Sequence, residues 1–508
     1  MIFLIRFTDE QNNAIKANGT VLVAAAAGSG KTAVLVERIL KRFCDEKSPL
    51  MADRTLIVTF TNAAAAELKQ KIEKGIKKKL EECPDSDLIK KQNLLIQNAF
   101  ICTIDSFCIN LVRENFNILG IANDFKIADT NSNDFTKSEL LDLMFSKKYE
   151  ENNDSFYKTI SNFKMGYDDS VLKSIITKIY NKSCAMPYPE KWLDSIAEGY
   201  QIFANNFDGS VWKSLIISEI SDDFKELSKY FISNTTDNDF DEEHPGYEIV
   251  SEYCENLNSL GDAIRLSDWT NILLLSNSLN NFKISKKTSE DLSLFAPHFN
   301  KKLKSFKEKV QKYLQADKST IENIIERYSN VVSNVVELVK EFKKLIDEKA
   351  LEENCFTFDQ IEHMALNLIS GEDNFVIENF NNQFDAILVD EYQDTSNLQD
   401  ELFKLLSAKK GQLFMVGDVK QSIYGFRNAN PDNFLYRKEI YPDYNNQEKK
   451  ESKVLLSGNF RSRENICKFI NYIFRCFMTK SDADMDYDEF ESLIPLGKFT
   501  DNKEENDV

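Results

Sequence analysis

Six short apolar runs punctuate the chain: Thr20–Ala24, Thr55–Thr59, Phe100–Cys102, Ala386–Val389, Leu413–Val416 and Val454–Leu456. Each is followed at once by polar, Gly-rich or acidic residues. Runs of this length, bounded in this way, predict buried strands of a mainly parallel sheet. Helical stretches separate most of them, at Ala33–Phe43, Ala63–Leu80, Ser106–Asn115 and Asn397–Leu406. Strand alternating with helix predicts an α/β fold. Ligands of open α/β sheets bind beyond the C-terminal ends of the strands, and the unusual residues of this chain cluster there.

Between roughly residue 116 and residue 350 the pattern changes. This segment is rich in Asn, Ser, Lys and aromatic residues, with no Gly-rich turn after a strand. Leu303, Phe306, Val310 and Leu314 recur at helical spacing, as do Val335, Leu338, Val339 and Phe342, which predicts long amphipathic helices. The segment reads as a mostly helical domain inserted into the α/β domain, because strand-like runs resume at Ala386. The acidic stretch Asp237–Glu243 ahead of Pro245 predicts a solvated loop.

A chain of 508 residues predicts two to four domains with ample core. No apolar run approaches the ~18–20 residues of a membrane span, and Met1–Arg6 is too short for a signal peptide. The nine cysteines are scattered with no CxxC pair, which argues for a reducing cytosol and against a zinc site or a disulfide framework. A net charge of −19 makes nucleic acid a poor default partner. The charge is uneven, however. Residues 1–113 carry 17 Lys and Arg against 13 Asp and Glu, whereas 481–508 carry 10 acids against 2 Lys. An anionic partner is therefore permitted, on one face.

The strongest chemical signal is the segment of Ala25, Ala26, Ala27, Gly28, Ser29, Gly30, Lys31 and Thr32, between a strand and a helix. Small residues allow a tight turn whose N–H groups face phosphate oxygens. Lys31 can reach the outer phosphates and the Thr32 hydroxyl can ligate Mg²⁺. Ala25 stands where the general phosphate-loop pattern has Gly. Asp390-Glu391 follow another strand; Asp390 suits a metal-holding carboxylate and Glu391 a base that activates water. Alone, such a pair reads equally as a solvated loop or a helix cap.

In Gly417–Arg427, Gln421 can touch a terminal phosphate or position water. Tyr424, Phe426 and Arg427 suit stacking on unpaired bases and meeting their backbone, with core packing as the alternative for the two aromatics. In Asn459-Phe460-Arg461-Ser462, Arg461 can stabilise transferring phosphate and Phe460 can stack on adenine, or both can be plain surface. Phe60 can stack on a base and Asn62 can hold a phosphate, with an N-cap by Thr61 or Asn62 as the simpler reading. Gln11 can read an adenine edge, or belong to a helix start capped by Thr8 or Asp9. The three histidines are too dispersed for a metal site.

Taken in order, these motifs resemble those of the UvrD-like superfamily 1 DNA helicases. FTDEQ is similar to the Q-type motif, AAAAGSGKT to motif I, TFTNAAAAEL to motif Ia and TIDSF to the DNA-contact motif that follows. DEYQDTS is similar to motif II, GDVKQSIYGFR to motif III and LSGNFRS to motif IV. The resemblance covers about residues 7–115 and 356–470. TIDSFC, DEYQDTS, NFRSR and the long insertion before motif II point to the helicase–nuclease branch typified by AddA.

The resemblance implies two RecA-like domains with ATP and Mg²⁺ between them, ratcheting 3′→5′ along single-stranded DNA in double-strand break repair. Lys31 and Thr32 would hold phosphate and Mg²⁺, Asp390 the metal and Glu391 the attacking water. Gln421 and Arg461 would contact the terminal phosphate, and Gln11 and Phe460 the adenine. Phe60, Thr61, Asn62, Tyr424, Phe426 and Arg427 would line the DNA track. Residues 1–115 and 351–450 would form the first RecA-like domain, 116–350 its insertion and 451–508 the start of the second. The implied partners are single-stranded and duplex DNA and an AddB-type subunit, in the cytoplasm and away from membranes.

Three positions depart from the pattern: Ala33 where many members have Arg, Phe460 for the commoner Tyr, and Asp105 for a frequent His. Nothing after residue 470 resembles motif V, motif VI or a nuclease domain, so the chain is expected to be the N-terminal part of a longer protein. The alternative is a nucleotide- or DNA-binding protein without unwinding activity.

Overall fold

The structure is a computed structural model that describes residues 7–163, 168–235, 242–371, 375–445, 450–480, 485–489, 491–497 and 499. Most of the acidic stretch Asp237–Glu243 and most of the acidic C-terminal segment 481–508 lie outside these residues. The described chain divides into two compact units. The first comprises residues 1–144, 178–189 and 342–508, and the second 145–177 and 190–341.

The first unit is built on six parallel strands: β1 (Thr20–Ala25), β2 (Thr55–Thr59), β3 (Phe100–Thr103), β6 (Ala386–Val389), β7 (Leu413–Gly417) and β8 (Glu451–Leu456). Two short parallel pairs lie outside this sheet, β4 (Lys126–Ile127) with β5 (Cys355–Phe356), and β9 (Gly458–Asn459) with β10 (Ile494–Pro495). The sheet order is β3-β2-β6-β7-β1-β8, every neighbour parallel. All six C-terminal ends therefore open on one edge.

Every residue of β2, β6 and β7 is buried, because helices cover both faces of the central strands; this is why their sequence is apolar throughout. One face packs on the helices Ile104–Glu114, Phe358–Ser370 and Asn397–Ser407, the other on Asp9–Lys16, Lys31–Phe43 and Asn62–Glu82. The expected strand at Val454–Leu456 is longer, starting at Glu451. It lies at the sheet edge and alternates, with Ser452, Val454 and Leu456 buried and Glu451 exposed, so its first half lacks an apolar run.

The second unit is helical. Phe231, wholly buried, sits among Tyr253, Phe282, Phe295 and Phe299, ring centroids 4.8–6.0 Å away. Leu303, Phe306, Val310 and Leu314 fall in this core, at the spacing that predicted them. Among the described residues no helix is long and apolar enough to cross a membrane.

Candidate nucleotide and nucleic-acid site

At the open edge of the sheet, the loop after β1 is held in shape from three directions. Gly28 and Gly30 take φ +72° and +81°, a left-handed backbone that residues with a Cβ rarely adopt. A Cβ on Gly28 would also meet Asn459 Nδ2 at 2.7 Å. Ala25 needs no such freedom: it is the last strand residue, paired with Leu456 of β8. Ala26 N donates to the Leu456 carbonyl (2.8 Å), Asn459 Nδ2 to the Ala27 carbonyl (2.8 Å) and Phe460 N to the Gly28 carbonyl (2.9 Å). Gln11 is buried beneath the loop. Its Nε2 donates to the Ser29 carbonyl (2.9 Å), and it also completes the capping box with Thr8. Both readings of Gln11 as a loop contact and as a cap residue therefore hold at once.

The helix Lys31–Phe43 begins directly after Gly30, two residues before the expected start, so Lys31 and Thr32 lie in its first turn. Asn459 Oδ1 accepts from the N–H groups of Arg461 and Ser462 (2.9 and 2.7 Å), fixing the NFRS turn beside the loop. Phe460 and Arg461 are exposed there.

Opposite Lys31, Asp390, Glu391 and Asp394 crowd the end of β6. Lys31 Nζ donates to Glu391 Oε2 at 2.9 Å. Glu391 itself sits at φ +52°, ψ +46°, a strained position for a side-chain-bearing residue and a frequent mark of functional sites. Burial, and then the neighbouring Glu391 charge, push the carboxyls of Asp390 and Asp394 up to about 6, with Lys31 a smaller opposing influence. Asp394 Oδ1 and Ser29 Oγ are buried without a hydrogen-bond partner. An electron-poor, oxygen-seeking ligand satisfies such a cluster. The Thr32 hydroxyl and the Asp390 carboxylate are hard oxygen donors of the kind Mg²⁺ takes alongside substrate phosphates, so the residues present fit that ion.

A cavity of about 340 Å³ joins this cluster to the loop after β2. Thr32, Asp390, Glu391 and Gln421 line it together with Phe60, Thr61 and Tyr424. Gln421 Nε2 donates to Asp418 Oδ2 (2.6 Å). Thr61 caps the helix Asn62–Glu82, accepting from Ala64 N, and Asn62 is exposed in its first turn, so the capping reading is true here.

The rings of Phe60 and Tyr424 lie 4.3 Å apart, and Phe426 lies 5.8 Å from Tyr424. Arg427 stands over all three at 5.6–5.9 Å. Phe426 is 79% exposed. The core-packing alternative for this pair fails: these are aromatics presented with a cation at the surface. Asp105 points the other way, mostly buried and hydrogen-bonded to Glu362, with the Arg427 charge nearby.

Sequence reading assigned no role to Gln393, Asp394, Asn459 or Glu362. All but Glu362 lie inside recognised motifs. Their partners, 25 residues away for Gln393 and 432 for Asn459, have no signature along the chain.

Residues 7–442 match the UvrD/REP helicase N-terminal domain. The chain belongs to the UvrD/REP helicase family. Among relatives of this UvrD/REP helicase chain, the ATP-dependent helicase/nuclease subunit (AddA) of Clostridium botulinum (strain Alaska E43 / Type E3) is 34% identical over 537 residues, covering 99% of this chain and 42% of the relative. Proteins of the same description from Acetivibrio thermocellus and Bacillus cereus (strain G9842) are 33% and 34% identical, over 99% and 97% of this chain and 42% and 41% of the relatives. The chain thus spans about two fifths of the length of the curated relatives it matches.

Proposed function

We propose that this chain is the ATP-binding motor portion of an ATP-dependent DNA helicase of the AddA type, which moves 3′→5′ on single-stranded DNA during double-strand break repair and recombination. The observation that carries this reading is the shared cavity: the acids and lysine suited to phosphate chemistry open onto the same space as Phe60 and Tyr424. A nucleotide-driven change at one wall therefore acts directly on the other. The resemblance to AddA-type helicase/nucleases over nearly the whole chain supports the substrate class.

In this reading the Ala25–Gly30 backbone and Lys31 cradle the phosphates of ATP. Thr32 and Asp390 hold Mg²⁺, which neutralises phosphate charge when bound. Glu391 orients water and takes its proton as the bond between terminal phosphorus and ADP oxygen breaks. Gln421 and Arg461 meet the terminal phosphate, while Gln11 and Phe460 face the adenine. Phe60, Thr61, Asn62, Tyr424, Phe426 and Arg427 form the DNA track. Residues 1–115 and 351–450 are read as the first RecA-like domain and 116–350 as its insertion. Residues 451–508 lead into a second RecA-like domain, their opening strand β8 closing the first sheet. The further partners are duplex DNA and an AddB-type subunit, in the cytoplasm.

Phosphate release by the 508-residue chain, with and without oligo(dT), tests this. Hydrolysis raised by oligo(dT) and lost in Lys31→Ala is expected. DNA-independent hydrolysis that ignores Phe60→Ala would instead mark a phosphate-loop ATPase with another substrate. A second reading, binding of nucleotide and DNA without unwinding, is favoured by the Lys31–Glu391 ion pair, which engages the phosphate-binding lysine and the base with each other. Strand separation of a forked duplex by this chain would exclude it.

A further inference from the structure

We propose that Gln393 is a positioning residue that couples the DNA track to the hydrolytic acid. The proposal rests on the roles read above for Glu391 and for Tyr424–Arg427, and adds the connection between them. Gln393 is 1% exposed, and both ends of its amide are engaged. Nε2 donates to Glu391 Oε2 (2.9 Å) and to Asp394 Oδ2 (3.2 Å), and Oε1 accepts from Asp418 N (2.9 Å). Its backbone carbonyl accepts from Ser422 Oγ (3.3 Å). Asp418 in turn accepts from Gln421 Nε2. A continuous series of hydrogen bonds therefore runs from Glu391 through Gln393 and Asp418 to Gln421, three residues before the Tyr424 ring that lies against Phe60.

The chemistry requires this side chain. The group between two carboxylates and a backbone N–H must donate at one end and accept at the other, and it must carry no charge. Rotating the amide would set Oε1 against both carboxylates. The loop comes this close because residue 417 has no side chain: a Cβ on Gly417 would lie 2.3 Å from Gln393 Oε1. Displacement of the 418–424 loop by a bound strand is thus passed to the Glu391 carboxylate, and nucleotide at Glu391 is passed back, since binding coupling is reciprocal.

The test measures affinity of the 508-residue chain for a fluorescent, non-hydrolysable ATP analogue with Mg²⁺, without and with saturating oligo(dT). The unaltered chain is expected to show a ratio of affinities of about 5-fold or more. Gln393→Leu should bring that ratio to about one, whatever each affinity alone becomes, and so should Gln393→Glu. The latter keeps the shape and the bond from Asp418 N but cannot donate to Glu391, so it decides the matter if the leucine variant does not fold, as judged by its thermal unfolding midpoint. A ratio preserved in Gln393→Glu would overturn the proposal while leaving the helicase reading intact, as would an unaltered chain that binds both probes without coupling. An unaltered chain that binds neither probe would overturn the helicase reading itself.

Discussion

Asp385 and Asp390 flank one buried strand, Ala386–Val389, and their surroundings are opposites. Asp385 Oδ2 accepts from Arg54 Nε (2.6 Å), and its Oδ1 from Arg54 Nη2 (2.9 Å) and Lys410 Nζ (2.8 Å). The Arg54 hydrogen bonds, more than any other influence, hold its carboxyl down at about 2. At the other end, burial and the Glu391 charge push Asp390 up to about 6. There Glu391 has a strained backbone, and Ser29 Oγ and Asp394 Oδ1 lack partners. One end of the sheet has its charges matched; the other holds like charges in a dry cleft. Unfavourable arrangements of the second kind persist where a ligand relieves them. The comparison assigns stability to the N-terminal edge and chemistry to the C-terminal edge of the same strands.

The sharpest way to break this division is to remove the charge facing the acid cluster. Lys31→Ala should lower phosphate release by on the order of 100-fold or more, with folding retained by circular dichroism. Glu391→Gln should keep binding of the fluorescent ATP analogue while losing about 100-fold or more of turnover; normal turnover would remove Glu391 from the role of base. Next in size, Phe60→Ala should weaken oligo(dT) binding by about 1–3 kcal/mol, measured by fluorescence anisotropy, and leave the Arg54–Asp385 edge untouched. Binding of oligo(dT) to the unaltered chain should fall steeply with salt despite the net charge of −19, because phosphate contacts release counterions.

Much of this was readable along the chain, for a physical reason. β2, β6 and β7 are buried on both faces, so they appear as plain apolar runs, and the phosphate loop needs small residues at fixed offsets. What escaped reading depends on distant partners. The start of β8 alternates because it is an edge, and Gln393 is one polar residue among several until the fold brings Asp418 N to it. Asp105 reads as a weak version of a DNA contact, yet it turns inward to Glu362, a residue on another helix 257 positions later. The contrast between Asp385 and Asp390 was likewise hidden. Both are aspartates beside one strand, and only Arg54 and Lys410 on one side and Glu391 on the other distinguish them.

The smallest effect bears most directly on the division itself. Asp385, with its carboxyl held below that of an unfolded chain, contributes stability that is complete above about pH 4 and lost as pH falls toward 2. Asp390 is shifted upward, so its charge costs stability above about pH 6, and that cost disappears as pH falls through 6 toward 4. The decisive measurement is the thermal unfolding midpoint of the unaltered chain, Asp385→Asn and Asp390→Asn between pH 8 and pH 5, without nucleotide. Asp385→Asn should be less stable by about 1 kcal/mol after solvent screening, with a gap that stays constant over this range. Asp390→Asn should be more stable by roughly 1 kcal/mol at pH 8, its advantage shrinking toward pH 5. Destabilisation by both substitutions, with no dependence of the Asp390 gap on pH, would contradict the assignment of stability to one edge of the sheet and chemistry to the other.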